Sequence, residues 1–347
     1  MKLTARQQYI MEIVTVQDGL SISEVKERLR EEVSTPTLNR DLAALVVCDY
    51  LEKTGKGRAT AYKATAFYHI LAPFDASGYF DQDPDTRKAK TGFNPEIIRI
   101  LDQMALFTIE EKAWLEELKQ KYQHNISDYP ETLFQKELER LTIELSWKSS
   151  QIEGNTYSLL ETERLFREKK EAQGKPKEDA VMLLNHKDTL DYMLAHKDMG
   201  KTLNLRMLEE IHSILIKELG VGRNIRSRTV GITGTAYKPL DNSYQIREAL
   251  EQVCSMINKK DNGFEKSLLA VTLISYIQPF EDGNKRTGRM ISNALLIAAG
   301  MCPLSYRSVD ALDYKKAMLL FYEQNNLAAF KQIFIEQIEF SVKNYFQ

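Results

Sequence analysis

The sequence predicts a mainly α-helical protein with two short β excursions. Only 9 of its 347 residues are proline and 16 are glycine, so little interrupts a helix over long stretches. Apolar residues recur at helical spacing, as in Leu205–Leu219, Ile246–Ile257, Ser267–Ile277 and Leu312–Asn325. β-Branched and glycine residues gather near 50–64 and 229–237, where short hairpins are expected. At roughly 100–200 residues per domain the chain holds two or three units. The boundaries expected are a first domain at 1–70, a linker and helical connector at 71–125, and a helical domain at 126–347.

Charge and cysteine usage narrow the class. The net charge is −2 with 28% charged residues, which describes a soluble protein. Cys48, Cys254 and Cys302 sit in apolar contexts without metal-ligand spacing, and this points to a reducing compartment, the cytoplasm. The N-terminus has no uninterrupted apolar segment after its basic residues, and no later stretch approaches ~18 apolar residues free of charge. Neither secretion nor a membrane partner is expected.

From the N-terminus, Tyr9–Val14 reads as a short helix, Ser21 caps a second at Ile22–Leu29, and Ser34-Thr35-Pro36 opens a third through Leu42 to Val47. Tyr50–Lys53 and Thr60–Ala64 then form strands around Gly55-Lys56-Gly57-Arg58. This order resembles a winged helix-turn-helix domain over about residues 1–66. The resemblance implies DNA as a partner, with Thr35, Thr37, Asn39 and Arg40 offered to a major groove and Lys56 and Arg58 to phosphate. Over residues 1–70, ten Lys and Arg face nine Asp and Glu, a balance of +1. Strong duplex binders concentrate more positive charge, so a protein contact or a homodimer stays open beside DNA.

Pro73 to Pro95, rich in aspartate, glycine and lysine, reads as a linker crossing a surface with Tyr79-Phe80 tucked against a neighbour. Helices from Pro95 through Tyr122 are amphipathic without a chemical signature. Lys169 to Asp179, with Gly174 and Pro176, is a solvated loop. His186, His196 and His212 fall in helical segments, where they pack or face solvent.

The chemistry concentrates in Gln278-Pro279-Phe280-Glu281-Asp282-Gly283-Asn284-Lys285-Arg286-Thr287-Gly288-Arg289. Pro279 ends the preceding helix, and the next begins near Asn284 and runs to Gly300, so free N–H groups of its first turn face the loop and favour an anion. Lys285, Arg286 and Arg289 add positive charge at a helix N-terminus, an arrangement the macrodipole opposes unless something negative sits opposite. Arg286 and Arg289 share a helix face and can clamp successive phosphates. Asp282 is a hard oxygen ligand suited to Mg2+ beside phosphates. Phe280 reads as a core plug at the loop corner.

This segment resembles the active-site motif of Fic-domain proteins, His-Pro-Phe-x-Asp/Glu-Gly-Asn-Gly-Arg-x-x-Arg. Pro279, Phe280, Asp282, Gly283, Asn284, Arg286 and Arg289 match it. Gln278 stands where the family has its histidine, and Lys285 where most members have glycine, as in the Doc branch. The resemblance implies a Fic-type helical bundle, ATP as co-substrate with Mg2+ at Asp282, and nucleotide contacts from Phe280, Gly283, Asn284, Lys285, Arg286 and Arg289. It also implies transfer of AMP to a hydroxyl side chain of a target protein, with position 278, Asn284 and Arg286 in the catalytic roles. An amide does not accept a proton at accessible pH. Loss of a general base typically costs on the order of 10²- to 10⁴-fold in rate.

Two further segments extend the resemblance. Ser149-Ser150-Gln151-Ile152-Glu153-Gly154-Asn155 is similar to the family's inhibitory motif, Ser/Thr-x-x-x-Glu-Gly/Asn. It makes Ser149 and Glu153 inhibitory residues, on a helix at the N-terminus of the Fic domain, with Glu153 paired to Arg289. Leu219 to Pro239, including Gly231, Ile232 and Thr233, is similar to the flap hairpin that holds target side chains by strand addition. Three functions follow: an AMP-transferase slowed or disabled at Gln278, a nucleotide-sensing transcriptional regulator using residues 1–66 on DNA, and a Doc-like phosphotransferase.

Overall fold

A computed structural model of the chain describes residues 3–17 and 19–347. Lys2, Asp18 and the Arg58 side chain lie outside the described residues, and with them the phosphate contact expected of Arg58. The chain divides into two units, Met1–Phe74 with Asn325–Ala328, and Asp75–Gln324 with Ala329–Gln347.

In the first unit, α1 (Ala5–Val16), α2 (Ile22–Arg28) and α3 (Thr35–Val47) precede β1 (Leu51–Thr54), β2 (Ala61–Ala64) and α4 (Ala66–Leu71). Thr4 and Ser21 close capping boxes with Gln7 and Glu24, and Ser34 caps α3 with proline in its first turn. The strands pair antiparallel with Leu51 opposite Ala64 and Thr54 opposite Ala61. A single bridge joins Leu20 to Tyr62. Ile10, Met11, Val14, Leu38, Leu42 and Leu45 are fully buried between the helices. Leu327 N–H donates to the Ile70 carbonyl at 2.6 Å, and Asn326 Nδ2 to that of Ala72 at 2.9 Å.

The second unit contains α5 (Ala76–Phe80), α6 (Glu96–Gln103), α7 (Ile109–Ser127), α8 (Glu131–Ile152), α9 (Leu159–Glu168), α10 (Lys177–Ala195), α11 (Leu205–Leu215), α12 (Ser243–Lys259), α13 (Gly263–Ile277), α14 (Asn284–Ala298), α15 (Ala311–Gln324) and α16 (Ala328–Asn344). Its axis is the pair α13 and α14. From Ser267 to Ile277 every residue of α13 is buried, and a Cβ at Gly288 of α14 would stand 3.1 Å from the Val271 carbonyl. The two helices therefore meet backbone to backbone, which fixes both ends of the loop between them. Among the described residues no helix is long and apolar enough to cross a membrane.

The linker is more structured than its composition suggests. Asp75 caps α5, Tyr79 Oη donates to Glu323 Oε2 at 2.6 Å, and Arg87 Nη1 donates to Glu323 Oε1 at 3.2 Å and to the Gly234 carbonyl at 3.0 Å. The expected hairpin at 229–237 differs too. It has a turn at Thr233-Gly234 and no strand ladder, with one isolated parallel bridge between Gly92 and Lys238 just beyond it. Side-chain anchors hold its ends in place of a ladder. Arg226, 2% exposed, donates to the carbonyls of Gln278 at 2.7 Å, Arg228 at 2.7 Å and Leu240, while Tyr237 Oη donates to the Tyr276 carbonyl at 2.9 Å.

Charge-assisted hydrogen bonds of a buried guanidinium are worth about 1.5–3 kcal/mol each. Arg226→Ala should therefore lower the unfolding free energy by roughly 3 kcal/mol in a urea titration. A variant as stable as the wild type would contradict the anchor.

Candidate functional site

The site grows from the α13–α14 junction. Gln278 ends α13 in the left-handed conformation, φ 52° and ψ 59°, its N–H still bonded to the Ile274 carbonyl at 3.1 Å. Gly283, at φ 80°, precedes α14 without any side-chain cap, leaving first-turn N–H groups for a ligand. Asn284 ties the loop together. Its Oδ1 accepts from Phe280 N–H at 2.8 Å, and its Nδ2 donates to the Phe280 carbonyl at 2.8 Å and to Gln278 Oε1 at 3.0 Å. Gln278 Nε2 donates in turn to the Ser275 carbonyl at 2.6 Å. Both ends of the Gln278 amide thus hold the loop closed.

Phe280 is fully buried and stacks on His212, ring centroids 3.6 Å apart at 5°. His212 Nε2–H donates to the Asp282 carbonyl at 3.0 Å. Burial pushes the imidazole down to about 4, so it is neutral near pH 7. Arg286, with its side chain 2% exposed, donates from Nη2 to Asp282 Oδ2 at 2.7 Å, while its Nη1 is buried without a partner among the described residues. A buried guanidinium N–H in that condition fits an anion.

Arg289 is wholly buried. Its Nε donates to Ser149 Oγ at 2.9 Å, and its Nη2 to the Ser149 carbonyl at 2.8 Å and to Glu153 Oε1 at 2.9 Å. The guanidinium also lies 5.3 Å from the Tyr314 ring centroid. Lys285 Nζ stands 3.5 Å from Glu153 Oε2. Glu153 caps α8, and Gly154 at φ 102° turns the chain away. Burial opposes ionisation of Glu153; attraction to Arg289 and then Lys285 overcomes it and holds the carboxyl down to about 2.

A cavity of about 560 Å³ gathers these elements. Gln278, Asp282, Gly283, Asn284, Lys285, Arg286, Glu153 and Gly231–Thr233 all line it, while Phe280, Ser149 and Arg289 sit behind its wall. Sequence reasoning missed Phe80 and Arg87 from the linker and Lys315, Lys316 and Tyr322 from α15, all of which border the cavity. The Tyr79-Phe80 pair was the available signal for the first two. No local pattern marks the α15 residues, or His186 behind Ser149, because only tertiary packing brings them here. The lined wall can bind phosphates at the α14 N-terminus, yet it offers neither imidazole nor free carboxylate at position 278. Among the described residues no group of three His, Cys, Asp or Glu is placed to hold a metal alone.

This loop lies between two packed helices and faces a carboxylate from a third. Residues 202–296 match the Fic/DOC family, and the chain therefore carries a Fic/DOC domain. It is 25% identical over 327 residues to the protein adenylyltransferase Fic of Nematostella vectensis, spanning 86% of this chain and 74% of that protein. A probable protein adenylyltransferase of Aquifex aeolicus is 26% identical over 116 residues, 33% of this chain and 36% of its own length. Among solved structures, residues 134–508 of Fic-1 from C. elegans superpose with a TM-score of 0.60 at 17% identity, covering 68% of this chain and 72% of that one. A Fic family protein from Desulfovibrio desulfuricans G20 gives 0.54 at 18% identity, covering 76% and 75%.

The Glu153 carboxyl titrates lower in the folded chain than its ordinary 4.5. The stability it contributes is therefore present above pH 4.5 and is lost as pH falls toward 2. The pH-dependent part amounts to roughly 3 kcal/mol. Unfolding titrations should show the gap between wild type and Glu153→Gln shrinking across that window. A gap independent of pH would contradict the assignment.

Proposed function

We propose that the cavity is a nucleotide site of the protein AMP-transferase type, restrained by Glu153 and lacking its proton acceptor at Gln278. The observation that carries this reading is the Glu153–Arg289 pair at 2.9 Å, beside a cavity whose buried Arg286 Nη1 and uncapped helix N-terminus await an anion. ATP would place its phosphates against Gly283, Asn284, Lys285 and Arg286, with Arg289 released to them once Glu153 withdraws. The carboxylate competes with phosphate for one guanidinium, so binding and restraint exclude each other.

Asp282 fits the metal role as well. Its side chain is 64% exposed while one oxygen holds Arg286, and magnesium takes one or two carboxylates together with substrate oxygens. Bound there, Mg2+ would offset charge on the phosphates. In the transfer itself a target hydroxyl oxygen bonds to the α-phosphorus, the bond to the β-phosphate oxygen breaks, and pyrophosphate leaves. The hydroxyl proton needs an acceptor. Gln278 supplies none, and both of its amide atoms are engaged inside the loop. Segment 229–237, free of a strand ladder, would receive the target chain.

The test is autolabelling with labelled ATP and Mg2+. Wild type should label weakly or not at all, and Gln278→His combined with Glu153→Gly should raise incorporation by about 10²-fold or more. Silence from a folded double variant would reject the transferase reading.

A second reading is favoured by the first unit, where Thr35, Asn39 and Arg40 are exposed on α3 and Lys56 lies at the turn between the strands. As a winged helix it would present α3 to DNA and make the protein a nucleotide-sensing regulator. A gel shift with duplex DNA should then weaken steeply as salt rises. No shift at low salt would exclude it.

A further inference from the structure

His186 is the buried titratable group that the transfer chemistry leaves unused. It lies on α10, fully buried, with Nε2 2.9 Å from Ser149 Oγ and Nδ1 2.9 Å from the Met182 carbonyl. Ser149 Oγ already accepts from Arg289 Nε at 2.9 Å. The two shorter contacts set the tautomer, with Ser150 Oγ a longer neighbour of Nδ1 at 3.4 Å. The Met182 carbonyl is an acceptor only, so Nδ1 carries the hydrogen. Nε2 is then the acceptor, and the Ser149 hydroxyl donates to it. The opposite tautomer would set the Nδ1 lone pair against the Met182 carbonyl at 2.9 Å, a buried repulsion that the Ser150 hydroxyl, 3.4 Å from Nδ1, offsets only weakly.

We propose that His186 is a positioning residue, holding Arg289 through Ser149 in a one-way relay: Arg289 Nε to Ser149 Oγ, Ser149 Oγ to His186 Nε2, His186 Nδ1 to the Met182 carbonyl. The relay does not involve Glu153. When Glu153 withdraws, Arg289 therefore keeps its orientation, with one Nη2–H freed for a ligand and the other still on the Ser149 carbonyl, in place of collapsing into the vacated space. Two consequences distinguish it from simple packing. The imidazole must stay neutral, and a burial that depresses its pKa beside Arg286 and Arg289, only partly offset by the Met182 carbonyl and Glu153, agrees with that. Ser149 also needs an acceptor at the far end, which an apolar residue at 186 cannot provide.

The value of the relay to nucleotide binding rests on the reading above, whereas its existence does not, so the test uses the nucleotide-free full chain. Nitrogen-15 NMR should find His186 as the Nδ1–H tautomer, unchanged from pH 8 to 5, and a slowly exchanging Arg289 Nε–H signal. His186→Phe should raise the exchange rate of that Nε–H by about 10-fold or more, and His186→Gln, whose Oε1 can accept from Ser149, should return it to within about threefold of wild type. An Nε2–H tautomer, titration between pH 8 and 5, or an Arg289 signal indifferent to His186→Phe would overturn the proposal. If His186→Phe fails to fold, the tautomer in the unmodified chain decides. Failure of ATP to bind, with the relay intact by NMR, would count against the nucleotide reading alone.

Discussion

A guanidinium taken wholly out of water must be answered by acceptors, and the site is arranged around how Arg289 meets that demand. The end of α8 supplies them for Nε and Nη2: the Ser149 hydroxyl, the Ser149 carbonyl and the Glu153 carboxylate; Nη1 is buried without one among the described residues. Leaving such a charge buried and unpaired would cost several kcal/mol. The requirement binds α8 to α14 and draws Glu153 toward Lys285. It also places a carboxylate where the α14 N-terminus and Arg286 would accept phosphate.

Gln278 takes on a different meaning beside this pair. By sequence it is a missing imidazole. In three dimensions its amide closes the loop, accepting from Asn284 and donating to the Ser275 carbonyl. Asn284 in turn holds Phe280, and Phe280 packs on His212. Side-chain hydrogen bonds and a ring stack thus tie the loop to its flanking helices.

Much of this was legible in the chain. The pattern from Pro279 to Arg289 pointed to a loop opening a helix with cations gathered at its start, and the four-residue spacing of Ser149 and Glu153 put both on one helix face toward that surplus of positive charge. The helices follow from caps and apolar spacing: Asn262 starts α13 and Pro279 follows its end. What stayed hidden depends on packing between distant segments. The linker reads as crossing a surface with Tyr79-Phe80 against a neighbour, but its composition does not say which one: Arg87 finds Glu323 on α15, far away in the chain. The glycine and β-branched run at 229–237 suggested a hairpin, but Arg226 and Tyr237 bind its ends to the loop core and no ladder forms. His186 and His212 carried no signal because their partners are backbone carbonyls and Ser149, none of them predictable from the flanking sequence.

On the proposed reading, Glu153 and a nucleotide compete for Arg289. Isothermal titration of wild type and Glu153→Gly with ATP and Mg2+ tests it most directly. Binding to the variant should be at least about tenfold tighter, the equivalent of roughly 1.4 kcal/mol. Equal affinity in the two folded proteins, or tighter binding to the wild type, would contradict it.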